Sequence, residues 1–220
     1  MASVTLTSII DAALARAGME NSDFISRAEA TAIVNNELGD LFDLLISRPT
    51  NPFTTLLTFS IATGNTYALA SDFQNFRGLD FQCGSEWTEV HRASFAQRNR
   101  SAARTLAKNR LFDLIGDTLY VTPSENAVGT YRLWYDPQFV ALDEVTVTSI
   151  DLPNRWEEYA INGAAATFLA KEESDPSVYL ALKAKAEARI LAATTERDRG
   201  APRAIVDVSG GCIEDWDGFR

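Results

Sequence analysis

The sequence predicts an α+β protein: a helical bundle built from N- and C-terminal helices, with an inserted β-rich region and an extended C-terminal tail. Apolar residues recur at helical spacing near both ends of the chain. The middle holds short runs of β-branched and aromatic residues separated by turn glycines. Residues 201–220 follow neither pattern. The predicted segments are therefore 1–52, 53–150, 151–200 and 201–220.

Two helices are predicted in residues 1–52. The first carries an apolar stripe and ends at Gly18, a residue type suited to a left-handed C-terminal cap. The second begins near Ser26, which stands three residues before Glu29, as in a capping box. Neither helix can bury its stripe alone, so we expect both to pack against the helices of residues 151–200.

Residues 53–150 are predicted to form strands joined by turns. The run Phe53–Phe59 is rich in β-forming residues, and Gly116-Asp117 between two apolar runs is a strong signal for a two-residue hairpin. Residues 130–135 alternate in character, as in a half-buried strand. A basic cluster, predicted as a short helix or a loop, interrupts the region at Arg98, Arg100, Arg104, Lys108 and Arg110.

Two further helices are predicted in residues 151–200. Leu152-Pro153 is placed to start the first of them, since proline is favoured in the first helical turn. Small residues at 163–166 permit close approach by a neighbouring helix. Asp175-Pro176 is placed to start the second, as an N-cap followed by proline. Gly200 and Pro202 then end it, which leaves 201–220 as an extended tail.

The charge of the chain argues against a general nucleic-acid binder. It has 20 Lys and Arg against 30 Asp and Glu, a formal net charge of −10. Proteins that bind DNA nonspecifically neutralise phosphates with cations, so we expect no DNA binding by the surface as a whole, and an acidic wall that lets DNA pass without specific binding fits the charge equally well. No apolar run has the length of a membrane span, and no secretory signal is recognisable, so we expect synthesis inside a cell and no membrane contact.

No metal or cofactor site is predicted. The chain has two cysteines, Cys83 and Cys212, and one histidine, His91, which fall short of the about four ligands of a zinc site. We expect the two cysteines to be free thiols. Motifs for phosphate binding and for a nucleophile elbow do not occur.

No catalytic residue is predicted either. The paired acids Glu157-Glu158 and Glu172-Glu173 lie on predicted helices, where neighbours point about 100° apart and do not converge on one substrate. A wall-degrading hydrolase stays open as an alternative, because it needs a convergent acid pair that only the fold can create.

Two segments are candidate binding sites. The basic cluster of residues 98–110 is suited to a partner protein or to passing DNA, and the competing interpretation is a solvated loop or ion pairs between subunits. In the tail, a β-forming patch can add a strand to a sheet edge and two aromatic residues can fill pockets. Simple disorder is the competing interpretation there. The tail residues concerned are Ile205, Val206, Val208, Trp216 and Phe219.

Several stretches, taken in order, resemble one protein family. They are the run from Leu152 to Tyr159, the small residues 163–166, residues 170–175, and the helix end at 197–202 followed by 205–208. Upstream, residues 67–73 and 129–135 join them. Together these stretches resemble bacteriophage head-to-tail adaptor, or connector, proteins.

The resemblance implies a structural virion protein at the head–tail junction. Such adaptors form a ring of about twelve copies that docks on the portal protein, extends the DNA channel and gives the tail nozzle or tube a platform. The C-terminal segment of such adaptors docks on the portal, which implies that role for residues 201–220. Another ring-forming tail-completion protein stays open as a second alternative.

Overall fold

The structure is a computed structural model that describes residues 2–21, 23–46, 48, 51–93, 110–153 and 155–196. The described parts of Met1–Pro52 and Phe139–Pro202 form one compact unit, here called the helical unit. Phe53–Gln138 form a second, here called the β unit. None of the helices in the described ranges has the length and apolar character needed to cross a membrane.

The described residues contain four α-helices and ten strands. In chain order they are β1 (Ala2–Thr5), α1 (Leu6–Ala17), α2 (Arg27–Ile46), β2 (Thr55–Ile61), β3 (Thr66–Ala68), β4 (Phe73–Cys83), β5 (Glu86–Glu89), β6 (His91–Arg92), β7 (Leu111–Ile115), β8 (Thr118–Thr122), β9 (Gly129–Pro137), β10 (Ser149–Leu152), α3 (Glu157–Lys171) and α4 (Ser177–Glu196).

Helix α3 lies at the centre of the helical unit, where it packs against α1, α2 and α4. Nearly all of its residues between Tyr159 and Phe168 are buried, because neighbours surround it. Its small residues allow this close packing. A Cβ atom added at Gly163 would lie 1.9 Å from Oε2 of Glu37 on α2, so a larger residue there must displace that carboxylate.

The cap predicted at Gly18 is confirmed, and so is the Ser26 half of the predicted capping box, while the carboxylate of Glu29 pairs with Lys171 instead. Gly18 follows α1 with a φ of 71°, and its N–H donates to the carbonyl oxygens of Ala15 and Leu14. At the start of α2, the N–H of Glu29 donates to Oγ of Ser26 over 3.3 Å. Both helix ends are therefore specified by residues within a few positions of the boundary.

The β unit consists of two four-stranded sheets, with strand orders β2-β9-β4-β5 and β3-β8-β7-β6. One continuous core contains buried side chains of both sheets. Along β9, Tyr131, Leu133 and Tyr135 point into this core. The predicted hairpin at Gly116, with its φ of 57°, is confirmed between β7 and β8.

A buried ion pair lies in the β unit at a bulge in β4. The pairing of β4 with β9 shifts register between Phe76 and Gly78, which leaves Arg77 as the extra residue. Nε of Arg77 lies 2.6 Å from Oδ2 of Asp136, whose side chain is fully buried. The hydroxyl of Thr54 donates to the other carboxylate oxygen over 2.8 Å.

The predicted fold, a bundle of terminal helices with one inserted β-rich region, is wrong. Ten strands in three sheets stand against four α-helices in the described residues. The chain enters its first helix from β1, which pairs antiparallel with β10. Leu152 therefore ends a strand instead of starting a helix, and α3 begins only at Glu157. Of the prediction, only the broad α+β class agrees in part.

Candidate interaction surfaces

Most residues predicted to bind partners lie outside the described ranges: Arg98, Arg100, Arg104, Lys108, Ile205, Val206, Val208, Trp216 and Phe219. Arg110 is described. Its guanidinium carbon lies 3.4 Å from the ring centroid of Phe81, and its Nε donates to the carbonyl oxygen of Asn126 over 2.6 Å. Arg110 thus stabilises the edge of the β unit's core, and its role in partner or DNA binding stays a prediction.

Two of the residues considered for chemistry have structural partners. Glu158 lies 2.8 Å from Nη2 of Arg16, and the exposed His91 has its Nδ1 3.6 Å from Glu89. The expectation of free thiols is wrong for Cys83, at the end of β4, which is disulfide-bonded. In the part of the chain that the structure describes, no group of three or more His, Cys, Asp or Glu could hold a metal ion.

The solvent side of the β2-β9-β4-β5 sheet carries a surface of large side chains, here called the tryptophan face: Leu56, Trp87, Arg132 and Trp134. Leu56 and Trp134 are cross-strand partners, and they are 42% and 39% exposed. Trp and Arg are the residue types most enriched in the energetic centres of protein interfaces. The composition of this face is therefore that of a protein-binding surface.

The side chains of the tryptophan face are held in place before any partner arrives. The guanidinium carbon of Arg132 lies 3.7 Å from the ring centroid of Trp87. Nε1 of Trp134 donates to Oδ2 of Asp80 over 2.8 Å, and its ring passes Gly78, which has no side chain to intervene. Because these groups are already ordered, binding costs little side-chain entropy.

The tryptophan face was missed by the sequence reasoning, although a signal for it exists. Strand 130–135 was predicted to alternate, and the phase of that alternation identifies the outer residues. Tyr131, Leu133 and Tyr135 form one apolar set, so Arg132 and Trp134 must point the opposite way. The signal is Trp134, a large apolar residue at a position of the strand that must face away from the buried side chains.

A second surface is a groove between α3 and α4, here called the basic groove: Arg155, Leu182, Lys185 and Arg189. Its volume is about 360 Å³. Glu158 also lines it, but that carboxylate is paired with Arg16. Within the described ranges, no carboxylate lies at ion-pair distance from the three cations, so the groove is positively charged.

A third surface is a groove beside α2, here called the acidic groove: Asn36, Asp40, Asp43 and Phe139. Its volume is about 390 Å³. Phe139 seats this segment on α2 by packing against Phe42, with ring centroids 5.7 Å apart. No cation of the described residues pairs with Asp40 or Asp43, so the groove is negatively charged.

A partly buried ion pair connects α2 to α4 inside the helical unit. Nζ of Lys183 lies 2.6 Å from Oε2 of Glu37 and 4.7 Å from the ring centroid of Tyr159. Burial raises the pKa of Glu37, and the hydrogen bond from Lys183 opposes that rise. Burial lowers the pKa of Lys183, but its contacts with Glu37 outweigh this and the pKa is raised.

Comparison with known proteins identifies one family. A sequence profile of the SU10 adaptor protein family matches residues 4–207. The match includes all four α-helices and all strands from β2 to β10. A search of curated proteins returns no match.

Proposed function

Since the chain belongs to the SU10 adaptor protein family, a phage head-to-tail adaptor family, we propose that it is the subunit that joins the portal to the tail. The chain is a structural component of the virion. In the proposed arrangement about twelve copies form a ring that docks on the portal and extends the DNA channel. The family match over residues 4–207 carries this proposal.

The proposed portal contact uses the C-terminal segment. Its β-forming patch and its aromatic residues, Trp216 and Phe219, are suited to strand addition and to pocket filling. Repetition around a ring strengthens a contact that is weak in each copy. The net charge of −10 per copy favours an acidic channel in which DNA slides without long-lived contacts.

The proposed tail contact uses the tryptophan face. Residues 201–220 are assigned to the portal, so the exposed ring of Trp134, beside the half-buried Arg132, is offered to the tail component. This face has the two properties that such a platform needs: large apolar side chains and a fixed geometry.

Separate binding assays with the purified portal and tail components test both contacts. Trp134→Ala is expected to weaken tail-component binding at least tenfold, about 1.4 kcal/mol or more, while portal binding is kept. The double variant Trp216→Ala/Phe219→Ala is expected to show the reverse pattern. Ile115→Ala is the matched control, because Ile115 is 57% exposed but lies on the other sheet of the β unit.

The outcome identifies which contact fails. Wild-type chain that binds neither component would contradict the proposed function. Wild-type chain that binds the tail but not the portal would favour a tail-completion protein. Trp134→Ala chain that binds the tail component as tightly as wild type would remove the tryptophan face from the proposal.

A further inference from the structure

The helical unit carries two grooves of opposite charge, which can bind each other when they belong to neighbouring copies of the chain. We propose that the basic groove of one copy binds the acidic groove of the next, so that the copies associate head to tail and close into a ring. The inference rests on the proposed function, because a ring is its setting. It adds the residues that form the contact between neighbouring copies.

The basic side combines positive charge with exposed apolar side chains on one stripe of α4. Val178, Leu182, Lys185 and Arg189 recur at spacings of four, three and four residues, so they share one side of the helix. Val178 is 63% exposed and Leu182 is 41% exposed. A helix with this composition in isolation leaves apolar area in water that a neighbouring protein surface would bury.

The acidic side offers the matching features. Asp40 and Asp43 lie on the exposed side of α2, beside the segment that begins at Phe139. Val140, next to that segment's anchor, is 57% exposed. Each groove therefore pairs two or three charges of one sign with exposed aliphatic side chains, and the two grooves are complementary in charge.

Helix geometry shows that the two grooves are separate surfaces of the unit. On α2, Asn35 bonds to the backbone of Leu142, whereas Glu37 pairs with Lys183 of α4. Asp40 and Asp43 point about 60° and 120° away from Glu37 around α2, so the acidic groove is a separate surface that adjoins the α4 contact at Asp40. On α4, Leu182 points about 100° away from Lys183, so the basic groove does not face α2.

This placement determines the kind of contact. Two different complementary surfaces on one copy make a heterologous contact, which generates either a closed ring or an open filament. A two-fold contact would instead join basic groove to acidic groove twice, and it would require one partner to reach both grooves of a copy at once. The grooves therefore fit the lateral contacts of a ring.

Charge reversal in trans tests the proposal. The first variant, Asp40→Lys/Asp43→Lys, makes both grooves basic, and the second, Lys185→Glu/Arg189→Glu, makes both acidic. Neither variant should assemble alone. In an equimolar mixture the two variants can alternate around the ring. Every contact then joins a basic groove of one variant to an acidic groove of the other, so assembly should return.

The measurement is the number of adaptor copies bound per portal, by electron microscopy and mass photometry, as adaptor concentration rises. Each variant alone is expected to need at least tenfold more protein than wild type to fill the ring, and the mixture less than threefold more. Glu20→Lys/Asp23→Lys is the control for the first variant, because it also replaces two exposed acids with lysine, at residues outside both grooves. Circular dichroism and thermal unfolding verify that each variant is folded.

Full rings of either variant alone at the wild-type concentration, or a mixture no better than its parts, would overturn the inference. The proposed function would survive both results. Wild-type chain that fails to bind the portal would contradict the proposed function instead. The lateral contact would then be tested by sedimentation of concentrated chains without portal. Each variant alone should fail to associate there, and the equimolar mixture should associate like the wild type.

Discussion

Replacing Gly163 with alanine is expected to destabilise the protein, although alanine is the better helix former. The new Cβ would lie 1.9 Å from Oε2, 2.3 Å from Cδ and 2.8 Å from Oε1 of Glu37. An ordinary contact needs roughly 3.4 Å, so the carboxylate must withdraw by roughly 1.5 Å. Because Oε2 is both the atom nearest the new Cβ and the atom in contact with Nζ of Lys183 at 2.6 Å, we expect that movement to disrupt the ion pair.

The opposing effects can be weighed. Breaking a fully buried ion pair costs about 3–5 kcal/mol, and the partial exposure of Glu37 and Lys183 lowers this to about 2–3 kcal/mol. Alanine in place of glycine returns up to about 1 kcal/mol of helix propensity. The free energy of unfolding should therefore fall by about 1–2 kcal/mol, which corresponds to a fall in Tm of roughly 2–8 °C.

Two further variants make the test specific. Gly39→Ala on α2 is the matched control, since its Cβ meets only a ring carbon of Phe139 at 3.8 Å, and it should be neutral or stabilising. In a Glu37→Ala background the overlap is gone, so adding Gly163→Ala should be neutral or stabilising as well. Urea unfolding followed by circular dichroism measures the free energy of unfolding of the wild type, the three single variants and the Glu37→Ala/Gly163→Ala double variant. A Gly163→Ala chain as stable as wild type, or equally destabilised in the Glu37→Ala background, would refute the reasoning.

Substitutions at three other residues have expected outcomes. Because burial raises the pKa of Glu37, its ionisation opposes folding, and the stability contributed by the neutral form is lost as pH rises. Lys183→Met should therefore destabilise the chain more at pH 8 than at pH 4.5 in urea titrations at both values. Arg77→Met leaves the fully buried Asp136 without its cation and should cost about 3 kcal/mol, whereas Arg77→Lys should cost less. Gly129→Ala should cost about 2 kcal/mol by thermal unfolding, since its Cβ would lie 2.4 Å from a buried aromatic ring at a φ of 146°.

Local signals predicted local structure well. The end of α1 at Gly18, the start of α2 after Ser26 and the hairpin at Gly116 each depend on residues within a few positions of the feature. Propensities of this kind act through neighbouring backbone groups, so sequence alone reveals them. The strand over residues 130–135 was found for the same reason, because its alternation is continuous.

Long-range pairing was not predictable in this way. Strand β1 is four residues long, too short to show a period, and its partner β10 lies almost 150 positions later. Leu152-Pro153 matches a helix start as well as a strand end, and only pairing decides between them. The grooves and the tryptophan face likewise combine side chains from separate segments. Their residues could be read from the sequence, but their proximity could not.

The helical unit is discontinuous in sequence, and this affects the order of events during synthesis. Its central helix, α3, begins at Glu157, about a hundred residues after α2 ends at Ile46. At about 5–20 residues per second, the ribosome takes roughly 5–20 s to supply α3 once α2 is made. Strands β2 to β9 emerge within that interval as one uninterrupted stretch, so their sheets can form first. The apolar side chains of α1 and α2 that pack against α3 stay uncovered meanwhile, so the nascent chain exposes apolar surface until α3 is made.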